Sequence, residues 1–166
     1  MMLRYKSTLP ISIFFSDSIM KKLNSIFSFL LRVKQGNLKL SQLWKSINNK
    51  TNRRASSTKC KEISAISSLL HRIKQIYSVI IEYIWGISIN MELETYIKKI
   101  ASSTLFQDIL VNWKDLVTTI TKKCFLEKKS SNLLDYIYNM VGIIHKLHKI
   151  VYFYIGMRRQ QWRRHK

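Results

Sequence analysis

The chain has 166 residues, 29 Lys plus Arg against nine Asp plus Glu, and a formal net charge of +20. An apolar fraction of 46% excludes wholesale disorder, and one Pro with four Gly is too few for the turns of a β-sandwich or barrel. Two cysteines, Cys60 and Cys124, cannot build a disulfide scaffold, so a reducing compartment is the default and the length fits one domain or part of a larger one.

The charge is uneven. Residues 1–61 hold 13 basic side chains against the single acid Asp17, a net of +12. Residues 62–157 hold 11 against eight, a net of +3, and the last nine residues add five positive charges. Such a field favours an acidic partner of some kind; nucleic acid, anionic lipid and an acidic protein all qualify.

In chain order, residues 1–15 are expected to be extended. The acid-free start with Arg4 and Lys6 loosely has the composition of a transit peptide, with Pro10 interrupting any amphipathic helix. Ser16–Asp17 supplies an N-cap, since a short side-chain oxygen there satisfies an orphan backbone N–H. Behind it Ile19, Leu23, Ile26, Leu30, Val33, Leu40, Trp44 and Ile47 recur at spacings of three or four, widened by Phe27, Leu31, Leu38 and Leu43. This predicts a long core-facing helix. Gly36 inside it should cost about 1 kcal/mol against Ala unless close packing requires it. The polar stretch 48–61, which holds Cys60, reads as a flexible loop.

A second long helix is predicted from about Glu62 to Ser88, on Ile63, Ile66, Leu70, Ile73, Tyr77, Ile80, Ile84 and Ile87, with Leu69, Ile76 and Ile81 beside them. Within it, Gln75–Met91 is apolar enough to raise the question of a membrane anchor. Glu82 and the short length favour a buried helix instead. A short helix follows around Met91–Ile100. Ser102, Ser103 or Thr104 is expected to cap a fourth, with Phe106, Ile109, Trp113, Leu116, Ile120 and Cys124 on one face. After a turn at 127–132, Leu133, Ile137, Val141, Ile144, Leu147 and Val151 mark a fifth. The expected fold is all-α, a bundle of about five helices, two of them long, spanning 16–155, followed by a basic tail at 156–166.

Enzyme chemistry is not expected. There is no Gly-rich phosphate loop, nucleophile elbow or Cys pair at metal spacing, and the acids are scattered. His145 and His148 lie three apart among Lys146 and Lys149, which would repel a cation, so they read as a solvated basic face. No cofactor or metal is called for. The tail MRRQQWRRHK interleaves Arg with Trp162, a combination that can pair phosphates and stack bases.

Residues 5–47 carry a more specific signal. Tyr5, Pro10, Ile11, Ser16–Asp17, Ile26, Phe27, Leu30, Leu31, Arg32, Lys34, Leu40, Leu43 and Trp44 stand in order and without a gap. They resemble the start of the C-terminal domain of gamma-tubulin complex components: a Tyr–Pro segment, a capped helix with a Phe and Leu-Leu core, a basic Arg-x-Lys and a closing Leu-Trp. Leu70, His71, Arg72, Ile73 and Tyr83 are similar to the next helix of that domain. The stretch 104–129 is similar to the helix ending in a Cys-Phe-Leu turn, and 133–148 to the closing helix. The family's N-terminal half, which mediates lateral contacts between subunits, has no counterpart here, so a fragment or a divergent member is expected.

The resemblance implies a helical scaffold that binds gamma-tubulin, works with other gamma-tubulin complex components in microtubule nucleation, and resides in the cytoplasm on the cytoskeleton at a microtubule-organising centre (centrosome or spindle pole). Any GTP would belong to the partner. Phe27, Leu30, Leu31, Arg32 and Trp44 are the family motif, the apolar ones read as core. Lys34, Lys39, Lys45, His71 and Arg72, basic and solvent-facing by helical phase, are the candidate gamma-tubulin contacts. The alternative from charge, tail and acid-poor start is a basic helical RNA-binding protein, organellar in its sharpest form.

Overall fold

Three long helical runs, residues 17–51, 57–101 and 131–164, carry most of the chain. The computed structural model describes the backbone of Leu9 and of residues 11–51 and 57–164, and the side chains of Leu9 and of residues 11–47 and 64–153. Among the described residues there is no strand, so the chain is all-α. The expectation of about five separate helices is corrected. Helix α2 (Ser57–Glu82), a π segment (Tyr83–Asn90) and α3 (Met91–Ala101) follow one another without a loop. The shorter α4 (Phe106–Lys123) then leads to α5 (Ser131–Arg164), and α1 is Asp17–Thr51.

Several predicted boundaries move. Ile11–Phe15 is a 3-10 turn and not extended chain. Helix covers both flanks of the stretch read as the 48–61 loop, through Thr51 and again from Ser57, so Cys60 belongs to α2. The backbone of the basic tail is helical as far as Arg164. Tyr5, Pro10, and the side chains of Cys60 and Trp162 lie outside the described residues.

Two units share these helices: Met1–Leu31 with Val79–Tyr136, and Arg32–Ser78 with Ile137–Lys166. In the first, α1 starts behind Ser16, whose carbonyl accepts the Met20 N–H at 2.9 Å, and Asp17 complements the positive end of the helix dipole. Trp113 of α4 is the hub. Its Nε1–H donates to the Phe14 carbonyl at 2.8 Å, and its ring meets Phe15 and Tyr96 with centroids 6.3 and 6.0 Å away. Phe14 in turn meets Phe106 edge-on at 5.5 Å. Half-buried Trp113, Phe14 and Phe15 bring large apolar area together with one polar handle, which is how the 3-10 turn is held on α4. Ile19, Ile26, Phe29, Ile84, Leu116, Val117, Ile120 and Cys124 fill the core of this unit.

The π segment changes which residues share a face. Its i→i+5 bonding, seen in the Met91 N–H to the Gly86 carbonyl, takes more residues per turn, so Ser88, four on from Ile84, stays on the inward face while Ile87, three on, turns out of it. Ser88 Oγ donates to the Lys123 carbonyl at 3.4 Å, and Lys123 pairs with Glu92 at 2.5 Å. Trp85 and Ile87 on the other side are partly exposed, so Gln75–Met91 is half-buried where full burial was expected. Among the described residues no helix is long and apolar enough to cross a membrane. Leu23, Ile26, Trp85, Ile89, Trp113 and Val117 line an apolar cavity of about 200 Å³.

The expected hydroxyl cap of α4 is absent. Leu105 occupies the cap position, while Ser102 and Ser103 donate back to the Lys99 carbonyl at 2.9 and 2.8 Å and close α3 instead. At its other end α4 stops in a Schellman motif. The Phe125 N–H donates to the Lys122 carbonyl and the Leu126 N–H to the Thr121 carbonyl, with Phe125 at φ 60°.

In the second unit Val33, Leu40, Leu43, Ile47, Leu70, Tyr77, Ile137, Val141 and Ile144 are buried. Tyr77 donates its O–H to the Val33 carbonyl at 2.7 Å. A Cβ on Gly36 would overlap that hydroxyl and stand 3.3 Å from Val141 Cγ2, so close packing does require the glycine. Of the predicted core motif, Phe27, Leu30 and Trp44 are half-buried, while Leu31 and Arg32 are exposed, as is Leu38. Phe29, which sits off the predicted stripe, is fully enclosed.

Candidate functional site

The basic residues singled out by sequence all lie on α1 and α2 within the second unit. Lys34, Lys45, His71 and Arg72 are exposed, and Lys39 is half-buried. They do not form one face. Lys34 and Lys45 are eleven positions apart, three turns of helix, and share a side of α1. Lys39 lies well round the helix from them, near His145, whose pKa its charge helps to lower. On α2, His71 and Arg72 are consecutive and point about 100° apart.

What the structure does assemble is centred on Trp44. The His71 ring lies 5.9 Å from the Trp44 ring at 37°, and Lys74 Nζ sits 5.2 Å from its centroid. An ammonium over an indole face is held by the ring quadrupole, so Trp44 fixes Lys74 while leaving His71 and Lys74 exposed. Lys45 follows Trp44 directly on α1. The result is a cationic platform with an aromatic floor: Trp44, His71 and Lys74, bordered by Lys45. Lys74 was missed by sequence reasoning, though its i+3 relation to His71 places both on one helix face.

A second cationic contact lies elsewhere in this unit. The Arg32 guanidinium stands 4.7 Å from the Tyr138 ring centroid, and Tyr138 is itself raised by burial, less an opposing pull from Arg32. His148 shares a hydrogen bond with Gln42 Oε1 at 3.0 Å and stacks on Tyr152. His145 is not on a solvated face, which corrects the reading of that pair. It is half-buried, its Nε2 is enclosed without a partner, and burial with Lys39, His148 and Lys149 lowers its pKa. The ring is therefore neutral at neutral pH.

An exposed ammonium held over an aromatic ring, with Lys45 beside it in sequence, suits an acidic protein surface, where charge steers encounter and the ring contributes area. The comparison with family models agrees with the resemblance read from residues 5–47. The model of the gamma tubulin complex component C-terminal domain matches residues 1–165. No curated protein matches the chain.

Proposed function

The chain belongs to the gamma-tubulin complex component family through its C-terminal domain, and from that we propose that it is a gamma-tubulin-binding scaffold subunit supporting microtubule nucleation. The match across residues 1–165 carries this reading. Its partners are gamma-tubulin and other gamma-tubulin complex components, and its place is the cytoplasmic cytoskeleton at a microtubule-organising centre such as a centrosome or spindle pole. The chain does no chemistry of its own. Nucleation is slow because several subunits must lose their freedom together, and a scaffold that holds gamma-tubulins side by side removes much of that cost beforehand.

The Trp44 platform is the contact assigned to gamma-tubulin, an acidic partner, with Lys74 and the bordering Lys45 as its charged members. The test is size-exclusion co-elution of the full chain with purified gamma-tubulin. Binding is expected, and Lys45→Glu with Lys74→Glu should weaken it about tenfold or more, since each reversal both removes attraction and adds repulsion. Lys39→Glu, on another side of α1, should change it little. A chain that is helical by circular dichroism yet does not co-elute refutes the reading. Steeply salt-dependent binding to RNA with none to gamma-tubulin would put the RNA-binding alternative in its place.

A further inference from the structure

Helix α2 carries a second apolar row that the described residues of its unit leave about half exposed. Ile66, Leu69, Ile73 and Ile76 recur at spacings of three, four and three, the register of one coiled-coil seam. Ile66, Leu69 and Ile76 are 46, 52 and 54% exposed, and Ile73 is half-buried. The buried face of the same helix runs through Leu70 and Tyr77, so the row lies beside the core and not in it. A single exposed Leu needs no explanation, but four apolar residues in heptad register on one helix form a continuous strip.

Arg72 marks the partner. It is exposed, three positions after Leu69 and four before Ile76, and so borders the strip within one turn. Among the described residues it has no carboxylate to pair with. The described side chains of α2 offer His71, Arg72 and Lys74 against Glu82 alone. A second copy of this chain would bring one Arg72 and one +20 charge against another, which disfavours self-association.

We propose that the Ile66–Leu69–Ile73–Ile76 strip is a docking seam for one amphipathic helix of a different, acidic protein. Apolar residues of that helix lie along the strip, and a glutamate beside them pairs with Arg72. The seam does not depend on the gamma-tubulin reading, and it separates Arg72 from the Trp44 platform. The spacing selects the shape of the partner, and the arginine selects its charge.

The probe is a synthetic three-heptad peptide, Leu at the seam positions and Glu beside them, compared with the same peptide carrying Lys in place of Glu. Fluorescence anisotropy with the full chain should show binding of the Glu peptide and little of the Lys peptide. Leu69→Gln with Ile76→Gln should weaken the Glu peptide about tenfold or more. These side chains are already exposed, so the variant should keep its helical circular dichroism. Arg72→Glu should invert the preference, weakening the Glu peptide about tenfold and admitting the Lys peptide. Equal binding of both peptides, or binding unchanged in the double Gln variant, overturns the proposal. So does a dimer by sedimentation equilibrium that the double Gln variant dissolves, because the occupant is then a second copy.

Discussion

At Gly36 one methyl group decides how closely three helices approach. Gly36→Ala places a carbon on the Tyr77 hydroxyl, and the expected loss is about 1–3 kcal/mol in a urea titration, in the range of other overpacked sites. Tyr77→Phe in the alanine background removes the overlapping oxygen and should recover part of that loss, a coupling that a double-mutant cycle reads directly. Tyr77 itself makes a pH prediction. Burial pushes its pKa from 10.0 up to about 12. The unfolded chain therefore gives up this proton first, so stability held by the neutral phenol is intact below pH 10 and is lost as pH rises through 12. Tyr77→Phe should flatten that part of the alkaline unfolding curve followed by circular dichroism.

Among the elements, the end of α4 is the most testable. Phe125 takes a left-handed conformation that glycine usually fills, and its ring stacks on Tyr83 with centroids 5.6 Å apart. Phe125→Ala and Phe125→Gly both lose the stack, but only alanine keeps the backbone penalty, so the glycine variant should be the more stable by about 1 kcal/mol. Helix existence was legible in the sequence wherever apolar spacing persisted, as in α1 from Ser16 to Ile47. The continuity from α2 to α3 was not, because the apolar spacing lapses between Ser88 and Met91 while π hydrogen bonding carries the backbone past that point. Nor was the α4 cap, since Ser102 and Ser103 had two helix ends within reach and turned to the earlier one. Periodicity marks a face as apolar without saying what covers it, which is why Leu31, Leu38 and Leu69 read as core. The exposure of Lys34, Lys45 and His71 followed from phase alone. The parting of Lys39 and Arg72 from them follows from phase too, since five positions from Lys34 and one from His71 turn a side chain well round its helix. The meeting of Trp44 with His71 and Lys74 was not legible, because it depends on where the neighbouring helix lies.

For the whole molecule, the net charge of +20 gives salt two opposite effects. Screening relieves repulsion within the folded chain, so the melting temperature should rise as sodium chloride is added. The same screening should weaken the proposed association with gamma-tubulin, chiefly by slowing encounter. Scanning calorimetry and stopped-flow mixing across one salt series would reveal both trends. A fold insensitive to salt would mean that its surplus cations are too far apart to repel.

Cys124 offers a different kind of use. Its side chain is fully enclosed at the end of α4, and burial pushes its pKa up to about 11. A thiol both covered and protonated is inert to alkylation, because only the thiolate attacks. In a Cys60→Ser background, the rate at which iodoacetamide modifies Cys124 then becomes a clock for opening of the unit that α4 belongs to. Set beside hydrogen exchange at the amides around Tyr77, it times each unit separately and shows whether they open as one cooperative block or as two.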